Sequence, residues 1–409
     1  MTKRPRIILH VGAPKCGSSA LQSALSAAPR LKSKTGEVLS YSALRPSGTD
    51  WVPMTGRLVK IGRSMSVGGY VSCPNFLSKS VDGQKIAAGL DKIYQTATPG
   101  FTPVVSQEGW YSRAGVFQEL LPHWFEPSAT APQIEVIAYV RPPIDWLNAA
   151  YFQWGVWSKQ SVGTWMDRTN LSVRMGQVLK EWADLPNVTL KLRFGGDVVA
   201  NFEDEYGVAL PKLGALNSTQ TPAMIGFLLR NSRFRSTGHD VETEFTVQRW
   251  CQFTHHQKPW ALSPRHIAKF KDMLEGDIET LFDLAPQAAD IALQDPRWTS
   301  YEPYYDVLAK GPSDLTNMSD LMELFDTIRD GLLRAQDQIR GARAEIPPTP
   351  TAGSDTETWD AAISVMLDQL IEADRKQRFG SLRKRIEKFT AELSFKGRFV
   401  KPAQHEQAD

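Results

Sequence analysis

A short apolar run at residues 6–11 (RIILHV) stops at Gly12 and gives way to Gly12-Ala13-Pro14-Lys15-Cys16-Gly17-Ser18-Ser19. Such a run, apolar without alternation, reads as a strand buried on both faces of a parallel sheet. Residues 18–28 read as a helix, with Leu21 and Leu25 four apart on one face. Strand, glycine-containing loop and helix in that order open a βαβ unit. The same junction offers unpaired backbone N–H groups and the positive end of a helix dipole to an anion. Gly17 permits close backbone approach, Lys15 adds a mobile charge, and Ser18 and Ser19 add hydroxyl donors.

The rest of the chain extends this pattern. Residues 103–106 (PVVS), 134–140 (IEVIAYV) and 188–194 (VTLKLRF) read as strands. Helices are expected over 85–95, from Pro143 to about Trp157, and over 171–185, 198–206 and 264–284, with Ser263 as a cap for the last. Residues 30–80 show no sustained period, and short elements are expected there. Alternating β and α segments give an α/β fold, a mainly parallel central sheet flanked by helices, over residues 1–300. A helical extension follows at 301–345, with Leu321, Leu324, Phe325, Ile328, Leu332 and Ile339 on one stripe. Residues 346–358 (IPPTPTAGSDTET) read as a linker, and 359–409 as an amphipathic helical arm.

Charge is uneven. Ten Lys or Arg against Glu387 and Glu392 give residues 375–401 a local +8; residues 402–409 carry −2, and the whole chain +2, so residues 1–374 sum to 2 − 8 + 2 = −4. That balance gives no reason to expect a nucleic-acid partner. The arm's apolar stripe (Leu382, Ile386, Phe389, Leu393) leaves three readings: a solvated helix, contact with an anionic membrane surface, or docking onto the protein's own body. A hydrophobic content of 42% excludes a wholly disordered chain. No apolar run is long enough for a membrane-spanning helix. The basic N-terminal residues precede a strand-length run with no cleavage signal, so they are not read as a leader. Cys16, Cys73 and Cys251 are too scattered for a disulfide framework, which fits a reducing, cytoplasmic setting. Cys251 with His255, His256 and His266 lacks a second ligand pair, so no metal is expected.

The stretch from His10 to Gln22, HVGAPKCGSSALQ, resembles the 5′-phosphosulfate loop of sulfotransferases that use PAPS (3′-phosphoadenosine 5′-phosphosulfate), above all the bacterial and carbohydrate-type members. It departs from the nucleotide-triphosphatase loop, where the lysine follows the second glycine. A second element of that family, a strand ending in Arg with R-x-P-x-D and a later Tyr, resembles Arg141, Pro143, Asp145 and Tyr151; the family's serine position is Ala149. The resemblance implies a P-loop-type three-layer fold. It also implies that Lys15, Cys16, Gly17, Ser18, Ser19 and Arg141 bind PAPS, with Arg141 on the 3′-phosphate. Asn148 and Ser158 are the nearby candidates to replace the missing serine. The family's S-x-E context places the catalytic base at Glu108, in Ser106-Gln107-Glu108, with Lys15 serving the leaving group. His10 and His123 are the competing bases. The acceptor would carry a hydroxyl and belong to a carbohydrate or small molecule. Trp110, Trp146, Trp154, Trp157 and Trp165 are candidate sugar platforms. Two other readings stand beside this one: a P-loop kinase or nucleotide-binding protein, and a non-catalytic protein of the same fold.

Overall fold

The structure is a computed structural model. It describes residues 4–75, 81–126, 128, 130–169, 174–213, 220–253, 258–342 and 344–396, the side chains only as far as Gly380.

Seven strands form one sheet: β1 (Arg6–His10), β2 (Arg30–Lys32), β3 (Val38–Ser47), β4 (Asp50–Thr55), β5 (Phe101–Ser106), β6 (Gln133–Val140) and β7 (Val188–Phe194). Their order is β2-β3-β5-β1-β6-β7, with β4 paired to β3 outside that path. β3, β5, β1, β6 and β7 run parallel, while β2 and β4 run antiparallel to β3. With helices flanking the sheet, the arrangement is a mostly parallel α/β fold of three layers. The apolar strands explain its centre. Ile7, Ile8 and Leu9 on β1 and Ile134, Val136 and Ile137 on β6 are all fully buried. Each contributes roughly 1.5–3 kcal/mol.

Several expected elements match closely, among them β6, β7 and the helix Val198–Tyr206, whose N-cap Asp197 accepts from the Val199 and Ala200 N–H groups. Others differ. Residues 30–75 contain the β3–β4 hairpin and the helix Arg57–Met65. The Gly48-Thr49 turn joins Ser47 to Asp50, with Gly48 at φ 60°, the positive value that primed hairpin turns require. The helix expected over 264–284 breaks into Pro264–Leu274 and Asp277–Leu284 at Gly276, φ 75°. The break frees the buried Asp277 carboxylate to accept from the Gly176 and Gln177 N–H groups at 3.0 Å each, capping the helix Met175–Ala183. Of the helix expected over 171–185, residues 171–173 lie outside the described residues.

A second core lies beside the sheet. The helices Pro222–Arg230 and Glu242–Trp250 pack with Met318–Gln338 and with Thr356–Lys396, the last helix. Trp359, Ile363, Met366, Leu367 and Leu370 are buried there, so the first half of the expected arm is core. At residues 374–378 that helix is held by charge. The fully buried Asp374 carboxylate accepts from Arg249, from Trp250 Nε1 at 2.9 Å and from Arg378 at 2.8 Å. Arg375 and Arg378 also pair with Glu242. The stripe from Leu382 to Leu393 lies beyond the described side chains. Among the described residues no helix is long and apolar enough to cross a membrane.

Candidate functional site

In register, His10 on β1 faces Ser106 on β5 and Ile137 on β6, so the loops after all three strands leave at one edge of the sheet. The chain leaves β1 towards β3 and β5 and leaves β6 towards β7. Such a switch point opens a crevice at the carboxyl ends of the strands, where open α/β sheets take ligands.

The loop between β1 and the helix Ser18–Ala27 is held from below. Trp146 Nε1 donates to the Pro14 carbonyl at 2.8 Å and Arg141 Nη1 to the Lys15 carbonyl at 3.1 Å. The Cys16 N–H closes a turn on Ala13 O, whereas among the described residues the N–H groups of Gly17, Ser18 and Ser19 take part in none of the loop or cap hydrogen bonds. Lys15 has φ 63°, a left-handed backbone that costs a non-glycine residue roughly 1–2 kcal/mol. Gly17 has φ 96°, and a Cβ there would lie 2.7 Å from Val198 Cγ1, so only glycine fits. At the loop, Ser18 Oγ and His10 Nε2 are buried without a hydrogen-bond partner among the described residues. A Cβ on Gly12 would lie 2.4 Å from the former and 2.8 Å from the latter. Ser19 Oγ lies 3.5 Å from Tyr70 OH.

Glu108 follows β5 in a 3₁₀ turn, Glu108–Trp110. Its carboxylate faces the backbone N–H and the ammonium of Lys15; burial raises its pKa, and both Lys15 groups oppose that rise. The Lys15 ammonium donates to Gln153 Oε1 at 3.0 Å. Burial lowers its pKa, Glu108 and Glu244 pull it up, and Arg141 and Arg235 add to the fall. The structure therefore brings Lys15, Glu108 and Arg141 together with the Gly17–Ser19 turn. It adds residues the sequence did not reveal. Gln153 lies in a π-helical turn, Tyr151–Gly155, which interrupts the helix expected to run to Trp157. Arg235, its side chain 1% exposed, pairs with Glu244 and stacks on Trp157 at 4.1 Å. The only sequence trace of this group is a turn-rich stretch, Asn231 to Asp240, between two helices; its partners lie some eighty residues away.

Other expectations change. Cys16 is buried, and burial pushes its thiol up to about 12. His10 is fully buried, with Nδ1 2.7 Å from Ser106 Oγ at the end of β5, and burial lowers it to about 3, so it sits as a neutral ring. His123 pairs with Asp91 at 2.7 Å beside Trp124, whose carbonyl meets Asn187 at the N-terminal ends of β6 and β7. That is the opposite edge from Glu108. Asn148 donates to Pro259 O at 2.8 Å and accepts from the Ala261 N–H at 3.0 Å; Ser158 Oγ donates to Gly155 O at 2.6 Å. Neither is free to replace a serine at Ala149. Trp110, Trp146 and Trp165 are core residues, and Trp157 carries Arg235, so of the five candidate platforms only Trp154 is left. His266 caps its own helix through the Ser263 N–H, Cys251 is buried, and His255 and His256 lie outside the described residues. Among the described residues no group of three or more His, Cys, Asp or Glu is placed to hold a metal.

Comparison of the chain with protein-family models, with curated proteins and with solved structures returns no match to any of them.

Proposed function

We propose that the protein is a PAPS-dependent sulfotransferase of P-loop type, moving a sulfuryl group to an acceptor hydroxyl and releasing 3′,5′-ADP. The observation that carries the reading is the meeting of Lys15, Glu108 and Arg141 in the crevice between β1 and β6. The residues present suit an anionic nucleotide. The Gly17–Ser19 N–H groups are open at a helix N-terminus, and Ser18 Oγ is a buried hydroxyl with no partner.

In this reading those N–H groups and the Ser18 and Ser19 hydroxyls hold the 5′-phosphosulfate, and Arg141 pairs with the 3′-phosphate. Glu108 takes the proton of the acceptor hydroxyl as that oxygen bonds to sulfur. Lys15 stabilises the charge that gathers on the departing phosphate oxygen. The raised pKa of Glu108 suits a base working near neutral pH. Trp154, half-buried against Gly238, is the remaining aromatic for a carbohydrate or small-molecule acceptor.

One observation favours a second reading, a nucleotide-binding protein without catalysis. Ala149 supplies no hydroxyl, and Asn148 and Ser158 are engaged elsewhere. Calorimetry with 3′,5′-ADP, 5′-AMP and ATP tests both. At least a tenfold preference for 3′,5′-ADP over 5′-AMP, about 1.4 kcal/mol, is expected, and Arg141→Ala should erase it. Equal affinities for the three nucleotides would sink the sulfotransferase reading. Binding with no sulfuryl transfer to a panel of hydroxylated acceptors would favour the second.

A further inference from the structure

The buried polar groups of the site do not end at the phosphate loop. Lys15 Nζ donates to Gln153 Oε1 at 3.0 Å, and Gln153 Nε2 donates to the Gly238 carbonyl at 2.8 Å. That carbonyl also accepts from Arg235 Nη2 at 3.3 Å, and the same nitrogen reaches the Gln153 carbonyl at 3.3 Å. One side chain thus joins a loop after the first strand to a segment more than 200 residues later. The local structure is shaped for the contact. A Cβ on Gly238 would lie 2.7 Å from the Gln153 carbonyl, and one on Gly155 would lie 2.3 Å from the Tyr151 ring. Gly238 is what lets the 235–238 segment sit this close to the π-helical turn, while Gly155 makes room for the Tyr151 and Trp165 rings within the turn. Turns of this kind recur at functional sites.

We propose that Gln153 is a positioning residue that holds the Lys15 ammonium and couples it to the Arg235–Gly238 segment. A neutral amide is suited to that task. It fixes the ammonium's direction yet yields readily to an incoming anion, which binds the ammonium more strongly than an amide oxygen does. Release of Lys15 then frees the Gln153 amide that steadies Gly238, so events at the loop reach Arg235 through one hydrogen-bond relay. The charged groups facing Lys15 are Glu108 after β5, Arg141 after β6, and Glu244 and Arg235 from the segment and helix beyond residue 230. Each bears on the ammonium by charge, whereas Gln153 does so by direction. The role in anion capture rests on the reading of Lys15 given above; the relay itself does not.

Two variants separate positioning from mere packing. Gln153→Met removes the acceptor and favours the neutral amine. Gln153→Glu keeps an acceptor and adds a negative charge, which favours the ammonium. Acetylation of Lys15 by a limiting N-hydroxysuccinimide ester, followed by peptide mass spectrometry across pH in the ligand-free full-length protein, reads the midpoint of its titration. The midpoint should fall in Gln153→Met and rise in Gln153→Glu, each by at least half a pH unit, about threefold in the amine-to-ammonium ratio. Midpoints that shift together, or that stay at the wild-type value in folded variants, overturn the proposal. Calorimetry with 3′,5′-ADP then tests the coupling: Gln153→Met and Lys15→Ala should not add, the double variant binding within about twofold of Lys15→Ala alone. Full additivity overturns the coupling. Failure of 3′,5′-ADP to bind the wild-type protein would remove the nucleotide reading and leave the acetylation result to decide on Gln153.

Discussion

The two ends of β1 each carry a basic residue among carboxylates, and they use it in opposite ways. At the start of the strand, Arg6 bonds directly to Glu37 at 3.1 Å and to Glu135 at 2.8 Å, while Thr102 donates to the same Glu37. Just past its other end, Lys15 feels Glu108 and Glu244 by charge, but its ammonium is held by the neutral Gln153 amide. The guanidinium of Arg6 is a brace, its charge met by direct pairing across β3, β1 and β6. Among the described residues the ammonium of Lys15 has no such direct pairing with a carboxylate, and in the proposed function its charge serves the incoming anion. What separates the two cations here is the partner, carboxylates for Arg6 and a neutral amide for Lys15, rather than charge alone.

The comparison breaks most sharply at Glu108. Glu108→Gln keeps the shape of the side chain and removes the proton acceptor. Turnover should fall by about 10²–10⁴-fold with nucleotide affinity nearly unchanged. Steady-state rates alongside calorimetry check this, and near-normal turnover would move the base to another residue, with Glu244 next to test. Arg6→Ala should do the reverse. It leaves two buried carboxylates without their cation and should lower stability by about 3 kcal/mol in urea melts. Affinity for 3′,5′-ADP per folded molecule should stay within about twofold. A loss of affinity there would mean the two ends of β1 are coupled and the contrast drawn above is false.

The readability of the sequence divides along similar lines. The places of the loop, Arg141 and Glu108 were legible because each follows a strand-like run whose end fixes where the next residues emerge, while the roles given to Arg141 and Glu108 came from the family resemblance. The β3–β4 hairpin was missed because the alternation of Leu39, Tyr41 and Ala43 with Ser40 and Ser42 is brief and breaks where Ala43 and Leu44 are both buried. The break at Gly276 was hidden because the periodicity continues across it; only the tertiary demand for Asp277 as a cap explains it. Gln153, Arg235 and Glu244 were hidden for a different reason. Arg235 meets Gln153 some eighty residues away in the chain and Glu244 nine residues on, and no local pattern encodes the three-way contact. His10 and Cys16 sit at the loop as the sequence order implies, but burial sets their protonation and sequence does not report burial.

Proton linkage sharpens the contrast more gently. Burial raises Glu108 above its ordinary 4.5 and lowers Lys15 below its ordinary 10.5. A base must be ionised and the leaving-group cation charged, so activity should rise with pH on a limb above 4.5 and fall on a limb below 10.5. Stability follows the sign of the same shifts. A carboxyl whose folded pKa is raised stabilises the protein below its unfolded pKa, and that contribution is lost as pH rises through the folded value. Unfolding free energy should therefore decline with pH above about 4.5. The decline should be shallower in Glu108→Gln and in Glu244→Gln, whose wild-type carboxyl is raised by burial as well. An unchanged slope in both variants would show that neither carboxyl is protonated more readily in the folded protein.

The smallest effect belongs to Ala149. It sits half-buried in the helix Pro143–Ala150, eight residues past Arg141, at the position where the resemblance places a serine. Its neighbours cannot supply the missing donor, since Asn148 clamps the 259–261 segment and Ser158 bonds to its own turn. Ala149→Ser adds one hydroxyl in a helix that already tolerates small polar residues. A hydroxyl that meets a phosphate oxygen adds a charge-assisted bond worth about 1.5 kcal/mol at most in so open a setting, and less once its own hydration is given up. Affinity for 3′,5′-ADP should rise by about two- to tenfold, and affinity for 5′-AMP should stay constant, because only the 3′-phosphate lies on the Arg141 side of the crevice in the proposed arrangement. If both nucleotides tighten equally, the hydroxyl is reaching the 5′ side, and the placement of the 3′-phosphate on Arg141 is wrong. If neither moves, Arg141 and the loop already saturate the phosphate, and the alanine is no sign of a lost activity.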